Sequence, residues 1–261
     1  LEQSVLKDFY QLAPEKFNNK TNGVSHRRFL ANANPPYAKL ITDAIGDGWL
    51  KDANEFKKLE AFEDDSAFLE GFAQTKQQDK QRLADYIKKT AGVELDCSMI
   101  FDVQVKRFHA YKRQLLNVFK ILDLYNRLLS DSNFDIHPTA FIFSGKAAQS
   151  YVFAKEVIRL INSVADVINS DERVNHKIRI AFIPNFAVSN AQLIYAAADI
   201  SEQISVAGSE ASGTSNMKLM MNGAVTLGTY DGSNIEISQL VGDDNIKIFG
   251  LRADEVAALR S

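Results

Sequence analysis

The sequence has little that would link it to an oxidising compartment, a metal or a membrane. Its single cysteine, Cys97, can form neither a disulfide within the chain nor a thiolate metal site by itself, so we expect a reduced, cytoplasmic protein without a metal. No apolar run reaches the ~20 residues that span a bilayer. The opening residues LEQSVLKDFY lack the basic and apolar regions of a secretion signal. We therefore expect no membrane partner.

An excess of positive charge is also missing. The chain has 30 Lys and Arg against 33 Asp and Glu, and this net charge of −3 provides no basic field for nucleic acid. Any anion must therefore be bound by a local cluster of cations. The 261 residues are 46% hydrophobic and 24% charged, which is typical of a soluble globular protein. Because the chain begins with Leu and ends in the helix-like ADEVAALRS, we expect a fragment of a longer protein.

The chain divides into two parts by pattern. Up to residue 96 it reads as helices and loops, with a charged, helix-prone segment at 51–90. Beyond that, short runs rich in β-branched and aromatic residues alternate with apolar helices predicted at 113–130 and about 148–169. The nearly continuous apolar strand candidates indicate a parallel sheet covered on both faces; they are MIFDVQV, TAFIFSG, IRIAFIP, AVTLGT and IKIFG. We predict a doubly wound α/β domain with ligands beyond the carboxyl ends of its strands.

A basic cluster follows the first predicted strand. Cations at the start of a helix are unfavourable unless an anion bridges them, and phosphate is the obvious candidate. A solvated basic loop is the competing interpretation. His109 is best explained by a hydrogen bond inside the loop. The cluster comprises Lys106, Arg107, His109, Lys112 and Arg113.

A turn of small and hydroxyl residues, Ser212 to Ser215, precedes Lys218. Such a turn can bind a second phosphate, although a capped helix start with Ser212 or Thr214 as the cap explains it equally well. The apolar neighbours of Lys218 would lower its pKa and make it a candidate for a Schiff base. An ordinary lysine on a helix surface is the alternative. Glu210 could accept hydrogen bonds from sugar hydroxyls or serve in helix capping.

Two long motifs resemble one enzyme family. The run EASGTSNMKLMMNGAVTLGTYDGSNIEI resembles the pyridoxal-phosphate motif of α-glucan phosphorylases, and FDVQVKRFHAYKRQLLN resembles their phosphate-binding segment. The similarity continues in family order through NNKTNGVSHRRFL, FSGKAA and ADISEQISVAG. It implies a glycosyltransferase-B architecture, in which two Rossmann-like domains face each other across a cleft. Residues 1–25 would lead in from a missing amino-terminal domain, and 26–261 would form an incomplete second domain with a helical part (26–96) and an α/β part (97–261).

The resemblance also implies the site. Lys218 would hold pyridoxal 5′-phosphate, while Lys106, Thr214 and Ser215 would contact the cofactor's phosphate. Arg107 and Lys112 would hold the substrate phosphate. Five further residues match positions around the glucosyl unit: Asn22, Tyr111, Glu210, Ser212 and Gly213. The chain departs from the family's usual residues at four positions, three of which are expected near the cofactor ring (Phe29, Phe186 and Ala187), the fourth being Ala110.

The implied reaction is reversible phosphorolysis of the terminal α-1,4 bond of glycogen, starch or maltodextrin, giving α-glucose 1-phosphate with retention. The implied partners are an α-glucan, inorganic phosphate, the amino-terminal domain and a second copy of the parent protein. We expect the isolated chain to be inactive. A nucleotide-sugar glycosyltransferase of the same architecture is the alternative, but such enzymes commonly carry an acidic residue where this chain has Lys218. A non-catalytic binding module is disfavoured by the intact Lys106, Arg107 and Lys112.

Overall fold

The computed structural model describes residue 2 and residues 5–259. Its α-helices are α1 (Lys7–Leu12), α2 (Pro35–Ile45), α3 (Ser66–Ala91), α4 (Gln114–Ser130), α5 (Val152–Ser170), α6 (Val188–Ala197), α7 (Ser215–Met221), α8 (Ser233–Val241) and α9 (Ala253–Ala258). The last two residues of the helix-like ADEVAALRS lie outside the described residues. No helix within the described ranges is long and apolar enough to cross a membrane.

Six parallel strands form one sheet. They are β1 (Ile100–Val105), β2 (Thr139–Ser144), β3 (Ile178–Ile183), β4 (Ile200–Gln203), β5 (Val225–Gly228) and β6 (Ile246–Ile248). Their order across the sheet is β3-β2-β1-β4-β5-β6, and every neighbouring pair is parallel. This order is that of the Rossmann fold. The predicted α/β class and the parallel sheet are confirmed.

Strand β4 was missed by the sequence analysis, although it lies at the centre of the sheet between β1 and β5. Its sequence, ISEQ, lacks the apolar run expected of a buried parallel strand. The polar side chains of Ser201, Glu202 and Gln203 are nevertheless buried. They are tolerated because each has a hydrogen-bond partner; Glu202, for example, accepts from Lys120 of α4.

Helices cover both faces of the sheet. On one face, Val118 and Ile121 of α4 share a core with residues of α5, β2 and β3. On the other face, Leu83 and Ile87 of α3 share a core with residues of β1 and α6. The helices predicted at 113–130 and 148–169 are α4 and α5. The second starts later than predicted because residues 148–151 form a turn, closed by the bond from Tyr151 N to Ala148 O at 3.0 Å.

Helix α3 binds the helical part of the chain to the sheet. Its N-cap is Asp65, whose side chain accepts from Phe68 N at 2.8 Å. Lys76 Nζ reaches across to donate to three backbone carbonyl oxygens, those of Ala196, Ala198 and Asn222, at 3.0, 2.8 and 2.7 Å. These three hydrogen bonds of Lys76 therefore join α3 to the ends of α6 and α7.

The chain direction across the sheet reverses between β1 and β4. The segment after β1 leads towards β2 and β3, whereas the segment after β4 leads towards β5 and β6. Connections that diverge in this way leave a crevice beyond the carboxyl ends of the two strands, and ligands of open α/β sheets bind there.

Candidate active site

A cavity of about 710 Å³ opens at the carboxyl ends of β1, β4 and β5. The strand ends contribute Val105, Gln203 and the neighbouring Thr229, and the segment 210–216, called the glycine-rich turn here for its neighbourhood of Gly208 and Gly213, forms another wall. The cavity therefore lies at the point where the chain direction reverses, as the fold predicts. Its size matches that of small-molecule and cofactor sites.

The cavity brings together nine of the eleven residues that the sequence analysis assigned to the site. They are Asn22, Lys106, Lys112, Glu210, Ser212, Gly213, Thr214, Ser215 and Lys218. Arg107 and Tyr111 are not among its lining residues. Arg107 is exposed, and the ring of Tyr111 lies against that of His109, with centroids 4.7 Å apart. The binding roles of all eleven residues stay predictions.

Lys106 extends from the end of β1 and is held by a neutral partner. Its Nζ donates to Gln203 Oε1 at 2.7 Å. Burial, together with the nearby charge of Lys112, lowers the pKa of Lys106 to about 8. The ammonium group of Lys106 therefore donates to an amide and not to a carboxylate, so its positive charge stays available to a phosphate group.

Lys218 lies in the second turn of α7 and lines the cavity. Its Nζ donates to Thr214 Oγ1 at 3.3 Å and lies 4.1 Å from the centre of the Phe29 ring. Burial lowers the pKa of this lysine. The side chain is thus half-buried beside an aromatic ring inside the cavity, unlike a lysine that extends to solvent along a helix surface.

Lys112 forms an ion pair with Glu210 across the cavity. Partial burial would lower the pKa of Lys112, but the hydrogen bond and charge of Glu210 outweigh it, and the net effect raises the pKa. Ser205 Oγ donates to the same carboxylate oxygen, Glu210 Oε2, at 3.2 Å. In this structure the glutamate therefore contacts a lysine and does not cap a helix.

The hydroxyl groups of the glycine-rich turn do not cap α7. Thr214 occupies the cap position without a side-chain capping bond, and Ser212 Oγ accepts from Asn22 N at 3.0 Å. Gly213 has φ +106°, a conformation that residues with a Cβ rarely adopt. The capped-helix interpretation is wrong for this turn, since Thr214 contacts Lys218 and Ser212 contacts Asn22 instead.

Comparison with known sequences identifies the family. A family model described as carbohydrate phosphorylase matches residues 1–261. The chain belongs to the carbohydrate phosphorylase family.

Named relatives of this phosphorylase-family chain include three glycogen phosphorylases. The Bacillus subtilis (strain 168) protein is 55% identical over 256 residues, and the Haemophilus influenzae protein is 53% identical over 257. The muscle form from Homo sapiens is 45% identical over 259 residues. These alignments cover 98–99% of this chain but only 31–32% of each relative. The chain thus spans about a third of the length of these phosphorylases.

The cavity residues of the phosphorylase-family chain that were missed from sequence include Gln203, Asp231 and Tyr195. Gln203 was overlooked because β4 was not recognised. Asp231 was within the quoted motif, and its carboxylate accepts from the backbone N of Ser209 and Glu210 at 3.2 and 2.8 Å. Tyr195 is buried in α6, where burial raises its pKa to about 12. Position at a strand end would have identified Gln203, but nothing in the sequence singles out Tyr195.

Three of the four departures from the usual phosphorylase residues are found in the cavity, while their expected position beside a cofactor ring stays a prediction. Phe29, Phe186 and Ala187 all line the cavity, and Phe29 contacts Lys218 directly.

Among the residues that the structure describes, no group of three or more His, Cys, Asp or Glu side chains could hold a metal ion.

Proposed function

We propose that this chain forms the cofactor- and phosphate-binding side of an enzyme that cleaves the terminal α-1,4 bond of glycogen or a related glucan with inorganic phosphate. The products are α-glucose 1-phosphate, with retained configuration, and a shortened glucan. One observation carries the proposal: Lys106, Lys112, Lys218 and Glu210 line one cavity in a chain of the carbohydrate phosphorylase family.

The residues of the cavity fit pyridoxal 5′-phosphate. The resemblance of its motif makes Lys218 the attachment point, and the partial desolvation that lowers its pKa is compatible with a nucleophilic amine. Lys106, Thr214 and Ser215 hold the phosphate end. Their arrangement supports this, since Gln203 contacts both Lys106 Nζ, at 2.7 Å, and Ser215 Oγ, at 3.2 Å. When bound, the cofactor supplies a phosphate group that can exchange a proton with the substrate phosphate.

The cations of the chain make it possible for two phosphates to lie close together. Lys106 neutralises one, while Lys112, which lines the cavity, and the exposed Arg107 hold the other. Fixed cations in a site of low polarity stabilise negative charge more strongly than water does. They thereby orient the substrate phosphate below the glucosyl unit, where positive charge develops as the glycosidic bond breaks.

The sugar is held by groups of matching chemistry. Glu210 and the segment around Ser212 and Gly213 supply acceptors and donors for sugar hydroxyls, together with Asn22 and Tyr111. The bond between Asn22 N and Ser212 Oγ supports this assignment, because it brings the lead-in segment to the glycine-rich turn.

The remaining assignments concern the parent protein. Residues 1–25 connect to an amino-terminal domain, and 26–261 belong to the second Rossmann-like domain of a glycosyltransferase-B enzyme, which is a cytoplasmic homodimer. A nucleotide-sugar glycosyltransferase has less support, since the relatives named above are glycogen phosphorylases and Lys218 lies in the cavity.

The proposal is tested by measuring glucose 1-phosphate released from maltodextrin and inorganic phosphate. The full-length parent should release it, Lys218→Ala should abolish the release, and the exposed Lys89→Ala should leave it unchanged. Because the cleft needs both domains, this chain alone should release none. Full activity of the Lys218→Ala parent, or activity of the isolated chain, would contradict the proposal.

A further inference from the structure

Three of the four lysines that line the cavity, Lys106, Lys112 and Lys218, have partners of different charge. Lys106 is held by the amide of Gln203 and Lys218 by the hydroxyl of Thr214, both of which are neutral. Lys112 alone among the three is paired with a carboxylate, that of Glu210. The side chains of this pair are only 14% and 23% exposed, so solvent screens their attraction poorly. Two of the cations are therefore available to an anion, while the third is already neutralised.

The backbone of Glu210 is anchored independently of its side chain. Its N–H donates to Asp231 Oδ2 at 2.8 Å, and Gly208 and Gly213 flank it with φ angles of +85° and +106°. The carboxylate itself bonds through Oε2 to Lys112 and to Ser205 Oγ. Rotation of the side chain can therefore break the ion pair while the loop stays in place.

We infer that the Glu210 carboxylate is an internal occupant of an anion subsite on Lys112, and that an external phosphate displaces it. The inference rests on the proposed function, in which Lys112 holds the substrate phosphate. A phosphate dianion carries more charge than a carboxylate and offers three acceptor oxygens, so it can replace Glu210 on the ammonium group. The displaced carboxylate then becomes available to sugar hydroxyls.

This arrangement fixes an order of filling. The subsite at Lys106 needs no displacement and fills first. The subsite at Lys112 opens only when Glu210 leaves, which couples the binding of the second anion to the release of a sugar-binding group. Glu210 thus keeps the substrate-phosphate subsite closed to weakly held anions.

A double-mutant cycle on this chain tests the inference, with inorganic phosphate as the probe and isothermal titration calorimetry at constant ionic strength. Glu210→Gln keeps the size of the side chain and removes its charge. It should lower the Kd of the second, weaker phosphate site, the one at Lys112, about tenfold in the wild-type background. In the Lys112→Met background the same change should alter the Kd by less than about twofold, since no ion pair remains to be broken.

Ser205→Ala provides a second, milder variant, because it removes the hydroxyl that steadies Glu210 and should tighten phosphate binding about twofold. Circular dichroism checks that each variant is folded. An equal effect of Glu210→Gln with and without Lys112 would overturn the inference, because Glu210 would then act only as a distant negative charge. No detectable phosphate binding by Glu210→Gln would overturn it as well. No cofactor is needed, so these outcomes are independent of whether Lys218 holds pyridoxal phosphate.

Discussion

The ammonium group of Lys106 donates a 2.7 Å hydrogen bond to the side-chain oxygen of Gln203, the last residue of the central strand β4. The acceptor is neutral, and burial of Lys106 together with the charge of Lys112 lowers the pKa of this lysine to about 8. The hydrogen bond therefore fixes the position of the Lys106 ammonium group without neutralising its charge. Several consequences for anion binding can be measured.

Anion binding should weaken as the pH rises through the pKa of Lys106. Sulfate is the suitable probe because it does not titrate in this range. Its Kd should be constant below pH 7 and should rise above pH 8 towards about tenfold per pH unit, because the free protein loses the proton that the complex needs. Lys106→Arg keeps its charge and should flatten the curve between pH 8 and 9. An unchanged slope in Lys106→Arg would assign the titration to another group.

Replacing Gln203 by Glu should weaken sulfate binding although the side chain keeps its size. A carboxylate at this position would pair with Lys106, raise its pKa and compete with the anion. We expect the Kd of sulfate at pH 7 to rise about tenfold. Ser201→Ala removes another hydrogen-bond partner of Gln203 without adding charge and is the matched control, with a change below about twofold. Equal Kd values for Gln203→Glu and the wild type would show that this contact does not control the anion site.

Gly145 should be essential for the position of Lys106. A Cβ at residue 145 would lie 2.1 Å from the backbone oxygen of Lys106, a distance that forces the segment after β1 to move. Gly145→Ala should cost about 3 kcal/mol or more of unfolding free energy and should also weaken sulfate binding. Gly92→Ala, where φ is +70° and nothing lies within 4 Å, should cost about 1–2 kcal/mol and leave binding unchanged. Urea unfolding and calorimetry compare the two, and tight sulfate binding by Gly145→Ala would count against this explanation.

The sequence predicts the sheet and the site unequally well. Apolar strands such as β1 and β2 are recognisable because their side chains alone explain their burial. Strand β4 is not, because Glu202 and Gln203 are buried only by virtue of partners that are distant in sequence, Lys120 and Lys106. The same holds in the site: motifs identify Lys218 and Glu210, but the ion pair between Glu210 and Lys112 depends on tertiary contacts.

The buried carboxylate of Glu202 should make stability depend on pH. Burial, followed by the charge of Asp102, raises the pKa of Glu202 to about 7, against 4.5 for the free group. Between these values the folded state holds a proton that the unfolded state has lost, so the contribution of Glu202 to stability falls as the pH rises. Relative to the wild type, Glu202→Gln should gain about 1.4 kcal/mol per unit of pKa difference across this window.

The comparison requires unfolding free energies of wild type and variant at pH 5 and pH 8. The exposed Glu63→Gln serves as the control and should track the wild type at both values. If the advantage of Glu202→Gln does not grow with pH, the carboxylate is ionised in the folded protein throughout, and its pairing with Lys120 outweighs the effect of burial.

The central claim is that Lys218 is the anchor of pyridoxal phosphate in this cavity. The most direct test uses the full-length parent, loaded with limiting pyridoxal phosphate. Borohydride reduction is followed by peptide mass spectrometry. Lys218→Arg, which keeps the charge but cannot be attached, is the matched control. We expect the pyridoxyl group on Lys218 in the wild type and its loss from that peptide in the variant. A pyridoxyl group found mainly on any other lysine would contradict the claim.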